Sequence, residues 1–284
     1  VPNEEVAAFL RPLGVERAGL EASTHIAPLY RCLVKEGHGF LVSHTKKTRY
    51  ITEAHIKSDK VDSRALEELV RLDSLPLSYM PPRDIAELHK RVRRRAFRQE
   101  RNKLMVKTRG APAYEGIKPP EDHGLFTRRG MEWLQGLRID SVSCYLRVMA
   151  ALKAEVQRLS LELRSMAAGD EGVRLLMTIP GVGYNIALLV KAEIGDIGRF
   201  GSGDQLASYA GLAPSTYSSG CVTRHGRITR EGSNWLRWAI VDAVHTHLKK
   251  DTPVTRAYHR TAERRGRLAA KVILIVSVAP ENKP

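Results

Sequence analysis

Between Ser141 and Met166, the residues Tyr145, Met149, Leu152, Val156, Leu159, Leu163 and Met166 are separated by 4, 3, 4, 3, 4 and 3 positions. Side chains three and four apart share one helix face. An apolar repeat averaging 3.5 residues, held over three heptads, reads as a coiled-coil seam. Such a rod must cover its apolar stripe. Either the helix before it or the same helix of another subunit can do so, and the seam points to a homo-oligomer, a dimer or tetramer.

The seam divides the 284-residue chain into three expected parts: residues 1–80, a connector at 81–168, and a domain at 169–284. In the first part, residues 3–13 read as an amphipathic helix through Val6, Phe9, Leu10 and Leu13. Val15 to Leu20 reads as a strand ending at Glu21, Thr24 to Lys35 as a helix, and Gly39 to Ser43 as a second strand. A further helix is expected from about Ser58 to Leu72, capped by Ser58 or Asp59. This alternation predicts an α/β sheet with crossover helices. Two short strands do not make a free-standing sheet, so strands are expected to be missing upstream of Val1.

The connector opens after Pro81-Pro82 with a helix expected over Arg83 to Arg109. Lys90 to Arg109 holds ten Lys or Arg against the single acid Glu100. The stretch fits a solvated helix face or, given its one-sided charge, a track for a polyanion. Arg93, Arg94 and Arg95 are its densest point. Gly110 to Gly124 reads as a Pro/Gly-rich loop. The whole chain carries +15 net charge, which favours DNA or RNA as partner. The longest apolar run, Val272 to Ala279, is too short to span a bilayer, so no membrane partner is expected. Cys32, Cys144 and Cys221 form neither a disulfide framework nor a zinc spacing, which fits a reducing cytosol.

The last part is expected to be mostly helical. Ile179-Pro-Gly-Val-Gly-Tyr184 reads as a helix-hairpin-helix turn, in which Gly181 and Gly183 bring backbone to phosphates at the next helix's N-terminus. It also fits a tight turn between packed helices. Downstream, Ser218 and Ser219 abut Gly220 in a β-prone turn, followed by Arg224, Arg227, Arg230 and Arg237. A hydroxyl beside a side-chain-free residue is open to a bulky phosphodiester. Forked guanidiniums suit the charge that develops when it is attacked. The same residues also fit a polar hairpin on a basic surface.

Three acids complete the pattern. Glu21 closes a strand, while Asp59 and Asp62 stand three apart at a helix start and so on one face. Carboxylates so placed can hold Mg²⁺, although acids at a helix start are favoured by the dipole alone.

Leu20-Glu-Ala-Ser-Thr24, Lys57-Ser-Asp-Lys-Val-Asp-Ser-Arg-Ala-Leu66, the Ile-Pro-Gly-Val-Gly turn and the Gly211-Leu-Ala-Pro…Ser-Ser-Gly…Gly-Arg-Ile-Thr-Arg…Leu-Arg237 block occur in that order. Together they resemble the DEDD-type transposases of bacterial insertion sequences, the insertion-sequence-110 family. That family includes pilin-gene invertases and RNA-guided recombinases. The resemblance covers almost the whole chain. It implies a RuvC-like (RNase H-like) N-terminal domain, incomplete here, then a coiled-coil connector and a C-terminal serine transposase domain. It further implies Mg²⁺ held by Glu21, Asp59 and Asp62, with Ser219 as the nucleophile that joins DNA covalently and Ser218 in reserve. Arg224, Arg227 and Arg230 would contact nucleic acid, a guide RNA would be a further partner, and the protein would act at the nucleoid. Cys221 stands where many relatives carry a second glycine. The family's first Asp, on an opening strand, has no match, so binding without recombination is the expectation for this chain. The rival readings are a non-catalytic nucleic-acid-binding remnant and an RNA-associated structural protein.

Overall fold

The computed structural model describes residues 2–23, 25–37, 39–52, 59–93, 95–219, 222–266 and 270. These fall into two units, 1–81 and 82–284.

The first unit runs α1 (Asn3–Leu10), β1 (Arg17–Glu21), α2 (Ile26–Lys35), β2 (Gly39–Ser43), α3 (Thr45–Thr52) and α4 (Asp59–Arg71). β1 and β2 pair in parallel, with Gly19 opposite Leu41 and Glu21 opposite Ser43. Parallel neighbours need a crossover, and α2 supplies it. Its amphipathic spacing buries Leu33 with Ala7 of α1 and Phe40 of β2. Leu66 and Val70 of α4 stand over Gly19 of β1. The strand–helix–strand order follows the sequence; α3 was not foreseen, because Thr45-Lys-Lys-Thr-Arg carries almost no apolar signal.

The second unit is helical apart from one hairpin: α5 (Arg83–Val92), α6 (Arg95–Tyr114), α7 (Arg128–Gly136), α8 (Asp140–Ala168), α9 (Glu171–Met177), α10 (Tyr184–Ile194), α11 (Gly203–Tyr209), β3 (Pro214–Ser219), β4 (Val222–Ile228), α12 (Asn234–His247) and α13 (Pro253–Arg265). The single helix expected over Arg83 to Arg109 is two helices. The break comes because Leu88 and Val92 turn inward to join a core with Leu163, Ala167, Val173 and α10, whereas Leu104, Met105 and Ala111 of α6 face a different core. The loop expected from Gly110 is helical as far as Tyr114. Pro112 lies in the last turn and is buried; having no N–H, it gives no hydrogen bond to the carbonyl four residues back.

α8 is one helix across the expected seam, but the seam is not its buried face. Of the seam residues only Met149 and Leu163 are buried; the others are half-buried. Met149 packs with Val142, Leu146, Leu134 of α7 and the apolar face of α6, while Leu163 and Ala167 enter the α5–α10 core. α6 lies along α8 within this chain, so the preceding basic helix covers part of the stripe. Among the described residues no helix is long and apolar enough to cross a membrane.

Candidate functional site

β3 and β4 form an antiparallel hairpin with Tyr217 opposite Arg224, Ser218 opposite Thr223 and Ser219 opposite Val222. Ser219 is therefore the last residue of β3, at the hairpin's far end. Gly220, Cys221 and the side chains of residues 216 to 225 lie outside what is described, and those of Ser218, Ser219 and Arg224 fall among them. From Pro214 to Thr216 the partner runs from Ile228 to His225, so β4 carries a bulge around Gly226 and Arg227. Bulges twist a strand and re-aim its side chains. Arg227 is exposed beside it.

The stems of the hairpin are fixed to one another. Thr229 N–H donates to the Ala213 carbonyl at 2.9 Å and Arg230 N–H to the Gly211 carbonyl at 3.1 Å. Arg230 has φ 56°, a left-handed backbone in a residue other than glycine, and its side chain points to solvent. Gly232, at φ 129°, lies so close to Tyr209 that a Cβ would collide with the Tyr209 carbonyl oxygen. Arg237 donates through Nη1 to the Ala210 carbonyl at 3.0 Å and through Nη2 to Asn234 Oδ1. Burial, and then the like charge of Arg230, lower its pKa. Arg237 is thus spent on holding the stem, and among the described side chains Arg227 and Arg230 are the exposed cations of the block.

The turn before α10 separates its two glycines. Gly181, at φ 93°, presses on α12: a Cβ there would strike the Ala243 carbonyl and the His247 amide. His247, which is buried, donates from Nδ1 to the adjacent Pro180 carbonyl at 3.0 Å. Gly181 therefore serves packing, the plainer of its two sequence readings. Gly183 is exposed, caps α10, and has no atom within 4 Å of where a Cβ would be. Of the two, it is the one open to a ligand's phosphate.

Arg93 is also engaged by the protein, although its side chain stays 42% exposed. Its Nη2 lies 3.3 Å from Glu193 Oε1, and its guanidinium lies over Trp235 at 5.6 Å from the ring centre. Arg94 lies outside the described residues, as does the side chain of Arg95. Arg98 and Lys107 of the same basic run are exposed. The carboxylate that holds Arg93 was missed from sequence. Its one signal is being the only acid in the apolar helix Tyr184–Ile194.

In the first unit, Glu21 is exposed at the C-terminal end of β1, and Asp62 is half-buried on α4, the helix packed on β1. Neither is in an ion pair with another described residue. Asp59 begins α4 with its side chain outside the description. No three His, Cys, Asp or Glu among the described residues stand together as metal ligands.

Residues 173–260 match the transposase IS116/IS110/IS902 family. That segment holds the Gly181–Gly183 turn, the serine hairpin and the arginine block. A Pseudomonas aeruginosa protein named as a probable family 20 transposase is 27% identical over 251 residues, 81% of this chain and 71% of that protein. The Coxiella burnetii transposase for insertion sequence element IS1111A is 35% identical over 123 residues, 42% of this chain and 34% of that one. A pilin gene-inverting protein of Moraxella bovis is 33% identical over 104 residues, 36% of this chain and 32% of that one. The chain is thus related to insertion-sequence transposases, although its matches span only about a third of the last two relatives.

Proposed function

We propose that, against the binding-only expectation drawn from the unmatched first Asp, this chain acts on DNA as an insertion-sequence transposase, with Ser219 as covalent nucleophile. The supporting observation is Ser219's place at the far end of a hairpin inside the family-matched segment, with Arg227 and Arg230 exposed on the same block. Ser219 Oγ would attack a phosphorus, forming an Oγ–P bond and breaking one bridging P–O bond. The leaving oxygen departs as a hydroxyl, and the serine proton passes to solvent or a neighbouring base. Exposed guanidiniums stabilise the charge on the non-bridging oxygens. Glu21, Asp59 and Asp62 would hold Mg²⁺, which when bound supplies Lewis-acid stabilisation and orients the phosphodiester. The α/β first unit would then be RuvC-like, and a guide RNA and self-association would be further parts of the same reading.

The test is to incubate the chain with donor DNA and trap protein–DNA adducts. Ser219→Ala is expected to abolish the adduct and Ser218→Ala to preserve it. An adduct that persists in Ser219→Ala removes the assignment.

A further inference from the structure

Glu193 is a carboxylate in the apolar helix α10, with its side chain only 4% exposed. An isolated charge there would be driven to neutralise. Instead it gathers three donors. His89 Nε2 and Arg93 Nη2 approach Oε1 at 2.5 and 3.3 Å, and Ser233 Oγ donates to Oε2 at 2.6 Å. Burial pushes the Glu193 carboxyl up, but the hydrogen bonds from His89 and Ser233 and the charges of His89 and Arg93 outweigh it, leaving it below the ordinary range.

These donors have a common consequence. Ser233 is the N-cap of α12 and accepts from Leu236 N–H at 3.1 Å, so its one hydrogen is directed at Glu193. Ser233 N–H donates to the Tyr209 carbonyl at 3.2 Å, and Tyr209 OH donates to the Glu193 backbone carbonyl at 3.3 Å. Tyr209 lies five residues before the start of β3 and Ser233 five after the end of β4. Both stems of the serine hairpin therefore converge on one buried residue. That residue is also clamped to α5, where the basic run begins.

We propose that Glu193 is the positioning residue of the β3–β4 hairpin: it sets how the hairpin stands on the helical body, and so where Ser219 meets a phosphodiester. The catalytic half of this statement rests on the nucleophile assigned above; the structural half does not. A buried ion pair is no general source of stability, but directed hydrogen bonds specify one arrangement of the elements they join.

The experiment uses the whole chain with Glu193→Gln, Ser233→Ala and Ser233→Thr. Three quantities are read: amide hydrogen exchange at 229–233, the Kd for donor DNA, and the single-turnover rate of adduct formation at saturating DNA. In Glu193→Gln, exchange of the stem amides should rise about tenfold, the loss of one charge-assisted hydrogen bond, while α8 amides hold. Kd should be unchanged. The adduct rate should fall by about 10- to 100-fold, as for a nucleophile displaced by a fraction of an ångström to an ångström. Ser233→Ala should reproduce this, and Ser233→Thr, which keeps the hydroxyl, should restore it. Stem exchange that stays at the wild-type level overturns the proposal. So does a rate that falls only in step with Kd, or an alanine and threonine that behave alike. If Glu193→Gln fails to fold, the Ser233 pair carries the same comparison. If the wild-type chain gives no adduct at Ser219, the nucleophile assignment fails separately, and stem exchange still decides whether Glu193 holds the hairpin.

Discussion

At the scale of single residues, two glycines and one carboxylate separate structure from chemistry. Gly181 cannot accept a side chain, because its φ is positive and α12 fills the space a Cβ would need. Gly183 has ordinary backbone angles and open space. Gly181→Ala should destabilise by at least about 2 kcal/mol, from left-handed backbone cost and collision together. In a unit of this size that is a fall in Tm of about 4–8 °C. Gly183→Ala should leave Tm nearly unchanged and weaken DNA binding, because it obstructs the open backbone. An equal loss of Tm in both would show that the turn is purely structural. Glu193 adds a pH signature. Its folded pKa lies below the unfolded value of about 4.3, so its ionised form favours the folded state. That contribution is complete above the unfolded pKa and is lost as pH falls through the folded one. Urea midpoints of wild type and Glu193→Gln should therefore differ at pH 7 and converge as pH falls from the unfolded pKa through the lowered folded one. A gap that does not change with pH would exclude Glu193 as the source.

At the scale of elements, the basic run is split between two duties. Each phosphate neutralised contributes about 0.9 to the log–log salt slope of DNA binding. Arg98→Ala and Lys107→Ala, both at exposed positions, should each flatten that slope by up to about this amount without changing sequence preference. Arg93→Ala should leave the slope alone and cost stability, since its guanidinium is held by Glu193. A slope that flattens in Arg93→Ala would place it on the phosphates instead. The sequence made some of this legible and hid the rest for physical reasons. α8 was readable because a 3.5-residue repeat has no other regular interpretation. The strand–helix–strand start was readable because its apolar runs are short and bounded. The break between α5 and α6 was not, since ten cations in a row of good helix formers give no local reason to stop. The reason is tertiary: Leu88 and Val92 serve one core, and Leu104 and Met105 another. α6 likewise continues past Gly110 because packing overrides propensity. In the site, motif order located the serine hairpin, but motif order cannot tell an arginine that meets phosphate from one that meets a carboxylate a hundred residues away.

At the scale of the whole molecule, the acids and the serine stand on different units. Glu21, Asp59 and Asp62 belong to residues 1–81, and Ser219 to 82–284. If both sets act in one cleavage step, their losses cannot multiply, because removing either already abolishes the step. Asp62→Asn removes a charge at nearly constant volume from a half-buried position, so folding should survive and cleavage should collapse. The double variant Asp62→Asn with Ser219→Ala should then cost little more than either single change, measured as single-turnover cleavage of donor DNA. Circular dichroism and Tm should match the wild type throughout, which separates a lost ligand from a lost fold. The expected rate pattern has a second arm: Mg²⁺ dependence should vanish in Asp62→Asn, whereas Ser219→Ala should keep whatever metal-dependent change the first unit shows in its spectrum. Rate losses that multiply in the double variant would mean the acids and the serine serve separate steps, with the first unit acting on nucleic acid independently of the hairpin.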